Sequence, residues 1–421
     1  MKAIRTGATG GLRVVVINDA SLARGGATGL ALLQARLLRE RGIEVVFAAG
    51  DSGDNAELRA IGVDLRALGG QQLIKAPRAQ AATRGIYNPA ARRFIAEIVE
   101  EMADARTVFH VHGFSKTLSP SIFAALAPVR ARSFLHAHDF FLACPNGAFM
   151  DYRAAAPCSR KPLSADCLST HCDKRSYAQK LWRVTRQATL WRTLERGADW
   201  AGLLMIHPAM RPFLEMSGYP PGLLTALRNP TIGFREERVA AEANRGMVFV
   251  GRVEAEKGIE DLVAASARAG VPLTVIGDGP LRESLEAAHP DVRFLGWMSR
   301  EQIGAAIGDA RALVMPSRYP EPFGLVAAEA SLSGLPVILG RHALLGTEIE
   351  RLGLGLACDT RDPVAFAATL ARIDAMPAAE IEAISRRGHS GAAGLCTTPA
   401  EWIEAQIGRY RAALEAPARA A

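Results

Sequence analysis

Glu321 and Glu329 stand eight residues apart around Phe323-Gly324-Leu325, in a stretch that follows the apolar run Ala312-Leu313-Val314-Met315. The run reads as a buried parallel strand, and Leu325 to Leu332 reads as the first turns of a helix. A glycine at such a strand-to-helix turn lets backbone N–H groups approach an anion, and the helix dipole favours negative charge there. A phosphate suits that place. Eight residues are about two turns at 3.6 each, so both carboxylates can project to one side. Ionised carboxylates only accept hydrogen bonds, and sugars present rows of hydroxyl donors. Spacing alone also allows a plainer pattern, one acid at a helix start and one solvated acid on its face.

A second charged loop lies upstream. Met247-Val248-Phe249-Val250 reads as a strand, and Gly251-Arg252-Val253-Glu254-Ala255-Glu256-Lys257-Gly258 follows it. Arg252 and Lys257 bracket this strand-to-helix loop, where two cations and a helix N-terminus can converge on one diphosphate. A surface charge pair is the alternative. Near the amino end, the strand from Leu12 to Ile17 leads into Arg24-Gly25-Gly26-Ala27-Thr28-Gly29 and a helix from Leu30 to Arg41. This β-loop-α unit sets its glycines at the carboxyl edge of a sheet, where doubly wound folds bind ligands.

Four histidines, His110, His112, His136 and His138, collect at the ends of two further strands. Imidazole suits zinc, but hydrogen-bonding or acid/base work by one or two of them is the better reading, with the rest packed.

Together these segments resemble glycosyltransferase family 4. Pro320-Glu321-Pro322-Phe323-Gly324-Leu325 with Glu329, backed by Gly334-Leu335-Pro336-Val337-Ile338, is similar to that family's E-x7-E signature, and the likeness is strongest from about Gly246 to Leu356. The resemblance implies a GT-B fold, an α/β architecture of two Rossmann-like domains facing across a cleft with the last helix packing back on the first. It implies a retaining enzyme that moves a sugar from a nucleoside-diphosphate sugar to a glycan or lipid-linked acceptor. By the same likeness, Arg252 and Lys257 hold the donor diphosphate and amides near Phe323, Gly324 and Leu325 bind phosphate or sugar oxygens. Glu321 holds sugar hydroxyls, Glu329 holds the ribose, and Gly25 and Gly26 lie against donor or acceptor. His138-Asp139 resembles the segment whose histidine contacts the donor sugar. The catalytic set is therefore Glu321, His138, Lys257 and Arg252. No D-x-D motif is evident, so no metal is expected at the reaction centre. Rival readings are a non-catalytic partner of a polysaccharide assembly system that binds sugar nucleotides or glycans, and another GT-B enzyme such as an epimerase or phosphorylase.

The chain of 421 residues is too long for one ordinary core, and an apolar content of 49% can bury two. The expected division is 1–228, 229–398 and a returning helix in 399–421, with the junction near Thr225 to Glu242 and an inserted segment at about 144–172. The polar stretch Met1 to Gly11 has no apolar core of a leader, and nowhere do about 18 apolar residues run uninterrupted. A cytoplasmic protein is expected. Cys144, Cys158, Cys167 and Cys172 fall within the insertion, where a structural zinc or a disulfide clip is one option and unlinked cysteines the other.

The net charge of +7 is concentrated between Cys172 and Arg196, where Lys174, Arg175, Lys180, Arg183, Arg186, Arg192 and Arg196 face only Asp173 and Glu195. In the helix from Tyr177 to Leu194, the stripe Tyr177, Leu181, Val184, Ala188 and Trp191 is expected to be the packed face, with Lys180, Arg183 and Arg186 off it. Such a helix can pack on its own domain or rest on the anionic inner membrane leaflet. Nucleic-acid binding is disfavoured, since no recognisable module is present.

Overall fold

The computed structural model describes residues 11–23 and 25–416. Most of the polar amino-terminal stretch, Met1–Gly10, and Arg24 of the glycine loop lie outside the described residues. The chain forms two compact units, one of Met1–Gly147, Arg160–Arg228 and Pro399–Ala421, the other of Ala148–Ser159 and Asn229–Thr398. The inserted segment is thus divided, with Cys158 in the second unit and Cys144, Cys167 and Cys172 in the first.

The first unit is built on a seven-stranded sheet. Its spatial order is Asp64–Ala67, Glu44–Ala49, Arg13–Asn18, Thr107–Val111, Ser133–Ala137, Gly202–Met205 and Leu224–Ala226, parallel throughout. Helices cover both faces of such a sheet, so its central strands are apolar without alternation, as Arg13-Val14-Val15-Val16-Ile17 shows. The carboxyl-terminal helix Pro399–Glu415 buries Trp402, Ile403, Ile407 and Tyr410, positions one helical face apart. They join Leu30, Leu38, Val14, Phe47 and Phe134 in one core cluster of this unit. The last helix of the chain therefore completes the first unit.

The second unit carries a six-stranded parallel sheet in the order Arg293–Gly296, Leu273–Ile276, Met247–Val250, Ala312–Met315, Val337–Gly340 and Gly355–Cys358. Chain direction across the sheet reverses between Met247–Val250 and Ala312–Met315. Loops leaving two such strands diverge at their carboxyl ends and open a crevice, the usual ligand position in open α/β sheets.

The helix Tyr177–Leu194 forms over the expected residues but turns a different face inward. Its buried side chains are Lys180, Arg186, Gln187, Leu190 and Leu194, whereas Tyr177 and Leu181 of the expected stripe are exposed. The inserted segment and the residues just before it supply the reason. Lys180 Nζ donates to Cys172 Sγ at 3.0 Å and approaches Cys167 Sγ at 3.5 Å, and Gln187 Nε2 donates to the Leu142 carbonyl at 3.0 Å. The Arg186 guanidinium lies 5.5 Å from the Phe141 ring centroid, over its face. Polar partners on the packed side override the apolar stripe, and two of the cations counted toward a membrane-facing surface are spent inside the unit. Among the described residues no helix is long and apolar enough to cross a membrane.

Candidate functional site

In the second unit, both loops at the sheet's reversal point carry the charged residues singled out above. After Met247–Val250 comes a short 3₁₀ turn, Ala255–Lys257, and then the helix Ile259–Ala269. Gly258 joins them at φ 70°, in the left-handed region, and a Cβ there would lie 2.2 Å from the Pro316 carbonyl. This close approach sets Lys257 beside the loop that follows Ala312–Met315.

Lys257 Nζ donates to Glu321 Oε1 at 2.9 Å, to Oε2 at 2.7 Å and to the Tyr319 hydroxyl at 2.8 Å. The Ser317 hydroxyl donates to Glu321 Oε2 at 2.6 Å. Burial alone would push the Glu321 carboxyl up, but the Lys257 ammonium and these hydrogen bonds hold it below its usual range. Tyr319 is pushed well up by burial and by the Glu321 charge, so its hydroxyl keeps its proton. The result is a half-buried ion pair held between two hydroxyls.

The helix Leu325–Leu332 begins as expected, with Gly324 before it at φ 73° and ψ 59°. A Cβ at Gly324 would meet only the flexible end of Met315, at 2.7 Å from Cε, so it is the left-handed backbone that calls for glycine in this turn. First-turn amides have no acceptor inside a helix, leaving donors at this end.

Arg252 is placed differently from Lys257. Its side chain is largely exposed and donates to Glu254 Oε1 at 2.6 Å, within electrostatic reach of Tyr319. Glu329 has its own partner, Arg300 Nη1, and that guanidinium also donates to the Ile232 and Gly233 carbonyls at 2.7 Å. Burial pushes the Glu329 carboxyl up against the opposing Arg300 charge. Arg300 and Glu301 line a cavity of about 610 Å³ with Thr231–Glu236, Leu332 and His389.

In the first unit, the alternation of side chains sets His110 and His112 on one face of their sheet and His136 and His138 on the neighbouring strand's same face. The rings stack: His110 on His112 at 4.5 Å between centroids, His136 on His138 at 4.2 Å. His110 Nε2 meets His136 Nδ1 at 3.1 Å, and His112 Nδ1 meets His138 Nε2 at 2.8 Å. Burial drives all four well toward the neutral form, His138 to about 3. His110, His112 and His136 bring nitrogens within 4.8 Å of one another. Chelation needs in-plane lone pairs that converge on one point, and stacked rings direct theirs side by side. Beside His138, burial pushes Asp139 up to about 6, against the Phe141 N–H that favours its charged form. Gly25 caps the first helix, Gly26–Glu40, at φ 139°, and Gly26 is its first residue.

Lys257 and Glu321 are thus brought into contact across 64 residues, Arg252 reaches the same tyrosine, and Glu329 is engaged elsewhere in the unit. Tyr319 and Ser317 escaped the sequence reading although they sit two and four residues before Glu321. The signal was the polar turn Ser317-Arg318-Tyr319 itself, which Arg318 anchors by a two-pronged contact to Asp261 at 2.6 and 2.7 Å. Gln34, Gln406, Tyr410 and Arg300 carried no local signal.

Comparison with known proteins bears on both units. Solved structures align over nearly the whole chain. Sucrose-phosphate synthase from Thermosynechococcus elongatus matches with a TM-score of 0.69 at 20% identity, covering 95% of this chain and 98% of that one. Anabaena HepE in complex with UDP and glucose matches with a TM-score of 0.63 at 15% identity over 95% and 99%. The fold is GT-B. Within this GT-B chain, residues 233–386 match the family of glycosyl transferases group 1. A glycogen synthase of Mycobacterium tuberculosis is 30% identical over 264 residues, 58% of this chain and 61% of the relative. The chain thus spans about three fifths of that relative's length. The family match covers Arg252, Lys257, Glu321, Gly324 and Glu329.

Proposed function

We propose that this protein is a retaining glycosyltransferase of family 4 that takes its sugar from a nucleoside-diphosphate sugar and passes it to a glycan or lipid-linked acceptor. The observation that carries the reading is the Lys257 ammonium, held between Glu321 and Tyr319 at the reversal point of the second sheet, one turn before a helix N-terminus. A departing nucleoside diphosphate gains negative charge as the glycosidic bond breaks. Lys257, Arg252 and the amides at Gly324 and Leu325 stabilise that charge more than the bound donor's, which is the condition for lowering the barrier.

Glu321 keeps Lys257 in place, and its remaining lone pair accepts a sugar hydroxyl. Glu329 is assigned to the ribose, which requires Arg300 to share the carboxylate. The same reading gives His138 a hydroxyl of the transferred sugar and Gly25 and Gly26 a place against donor or acceptor. With two cations on the diphosphate, no divalent ion is required for turnover. Transfer is tested with purified protein and a panel of nucleoside-diphosphate sugars, with and without excess chelator. Retained anomeric configuration and chelator resistance are expected. Inverted product, or loss of activity restored by magnesium, overturns the corresponding part.

A further inference from the structure

Beneath His138 runs a chain of buried hydrogen bonds whose direction is fixed at one end. Gln406 Nε2 can only donate, and it faces the Trp402 carbonyl, which can only accept, at 3.4 Å. Gln406 therefore presents Oε1 to its other neighbours, where the Tyr410 hydroxyl donates at 3.0 Å and Gln34 Nε2 also donates. The Gln34 amide is thereby oriented, and its Oε1 faces His112 Nε2 at 3.0 Å. An oxygen there accepts, so His112 carries its proton on Nε2 and leaves Nδ1 as a lone pair. His112 Nδ1 is 2.8 Å from His138 Nε2, so His138 must in turn hold its proton on Nε2. His138 Nδ1 is buried and has no partner among the described residues.

We propose that Gln34 and Gln406 are positioning residues that lock His138 in its Nε2–H tautomer through His112, leaving Nδ1 as a hydrogen-bond acceptor for a ligand hydroxyl. The neighbouring branch has no such direction. Gln34 Nε2 has two hydrogens for three neighbours, Gln406, Tyr410 and His110, so the His110–His136 pair can run either way. The stacked imidazoles are all held neutral by burial, so direction, not charge, is what passes along the chain. The meaning of the acceptor for catalysis rests on the proposed role of His138; the tautomer itself does not.

The test is nitrogen NMR on the full chain labelled only at histidine, without ligand, reading which ring nitrogen of His138 bears hydrogen. The wild type is expected to show one form, protonated at Nε2. Gln34→Leu and Gln406→Leu should turn it into a mixture of both tautomers. His110→Phe, which cuts the other branch, should leave the single form unchanged. A wild-type His138 protonated at Nδ1, a single Nε2–H form persisting in both leucine variants, or equal loss in His110→Phe overturns the proposal. No donor sugar is needed, so this result and the transfer assay fail independently.

Discussion

The two units use one strand order, with the reversal next to the first strand of each sheet, yet they place opposite chemistry at the strand ends. In the first, four imidazoles and two glutamines form a neutral network, one branch of which runs from Gln406 through Gln34 and His112 to His138. In the second, Lys257 and Glu321 meet as an ion pair at 2.7 Å, supported by two hydroxyls. A neutral network stores direction at little desolvation cost. A buried ion pair stores field, and is destabilised when one partner goes. The same scaffold thus offers an orienting end and an electrostatic end.

The sharpest way to break that contrast is at the electrostatic end. Lys257→Ala and Glu321→Ala should each lower transfer by roughly 100- to 1,000-fold, about 3 to 4 kcal/mol of lost charge stabilisation. The two should part in binding: Lys257→Ala weakens a nucleoside diphosphate, whereas Glu321→Ala, which removes a competing anion from Lys257, keeps or gains affinity. Near-normal turnover in both variants would break the comparison.

Acid should find the neutral end first. A histidine whose folded pKa is depressed disfavours the proton in the folded state, so its contribution is complete above the unfolded value near 6.5 and is lost as pH falls toward the folded one. Asp139, whose carboxyl burial raises to about 6, partly offsets this loss. Glu321, with a lowered pKa, loses its contribution only below about pH 4.5. Hydrogen exchange read segment by segment between pH 6.5 and 5.5 should show the first unit loosening more than the second, which carries one histidine depressed by burial, His342, against the raised carboxyl of Glu329. Equal loosening of both units would contradict the assignment.

Smaller effects sharpen the picture. Tyr410→Phe removes one hydroxyl from the neutral network and should cost about 1 kcal/mol in urea unfolding, without altering diphosphate binding. Arg252→Ala touches only an exposed pair with Glu254, so stability should change by less than about 1 kcal/mol while transfer falls. A stable, fully active Arg252→Ala protein would remove that residue from the site.

Much of this arrangement was legible in sequence. The helix Leu325–Leu332 has the bounds its pattern implied, because Gly324 and the preceding apolar strand punctuate it. Arg252, Lys257 and Glu321 stand out because each follows a strand on a short loop and lies in a pattern that resembles family 4. Local pattern could not show that Lys180 and Arg186 would turn inward, since the sulfurs that receive Lys180 lie in the insertion and the Phe141 ring that receives Arg186 lies just before it. Nor could it reveal Gln34 and Gln406 as partners, which meet across 372 residues. The pairing of Glu329 with Arg300 likewise depends on two helices brought together by tertiary packing.

Calorimetric titration of the wild type and Lys257→Ala with the common nucleoside diphosphates and the matching monophosphates bears most directly on the diphosphate site. One diphosphate should bind the wild type and weaken at least tenfold in Lys257→Ala, with its monophosphate affected much less. Equal affinity for that diphosphate in both proteins, or no diphosphate binding at all, would contradict a second unit built to receive a departing diphosphate.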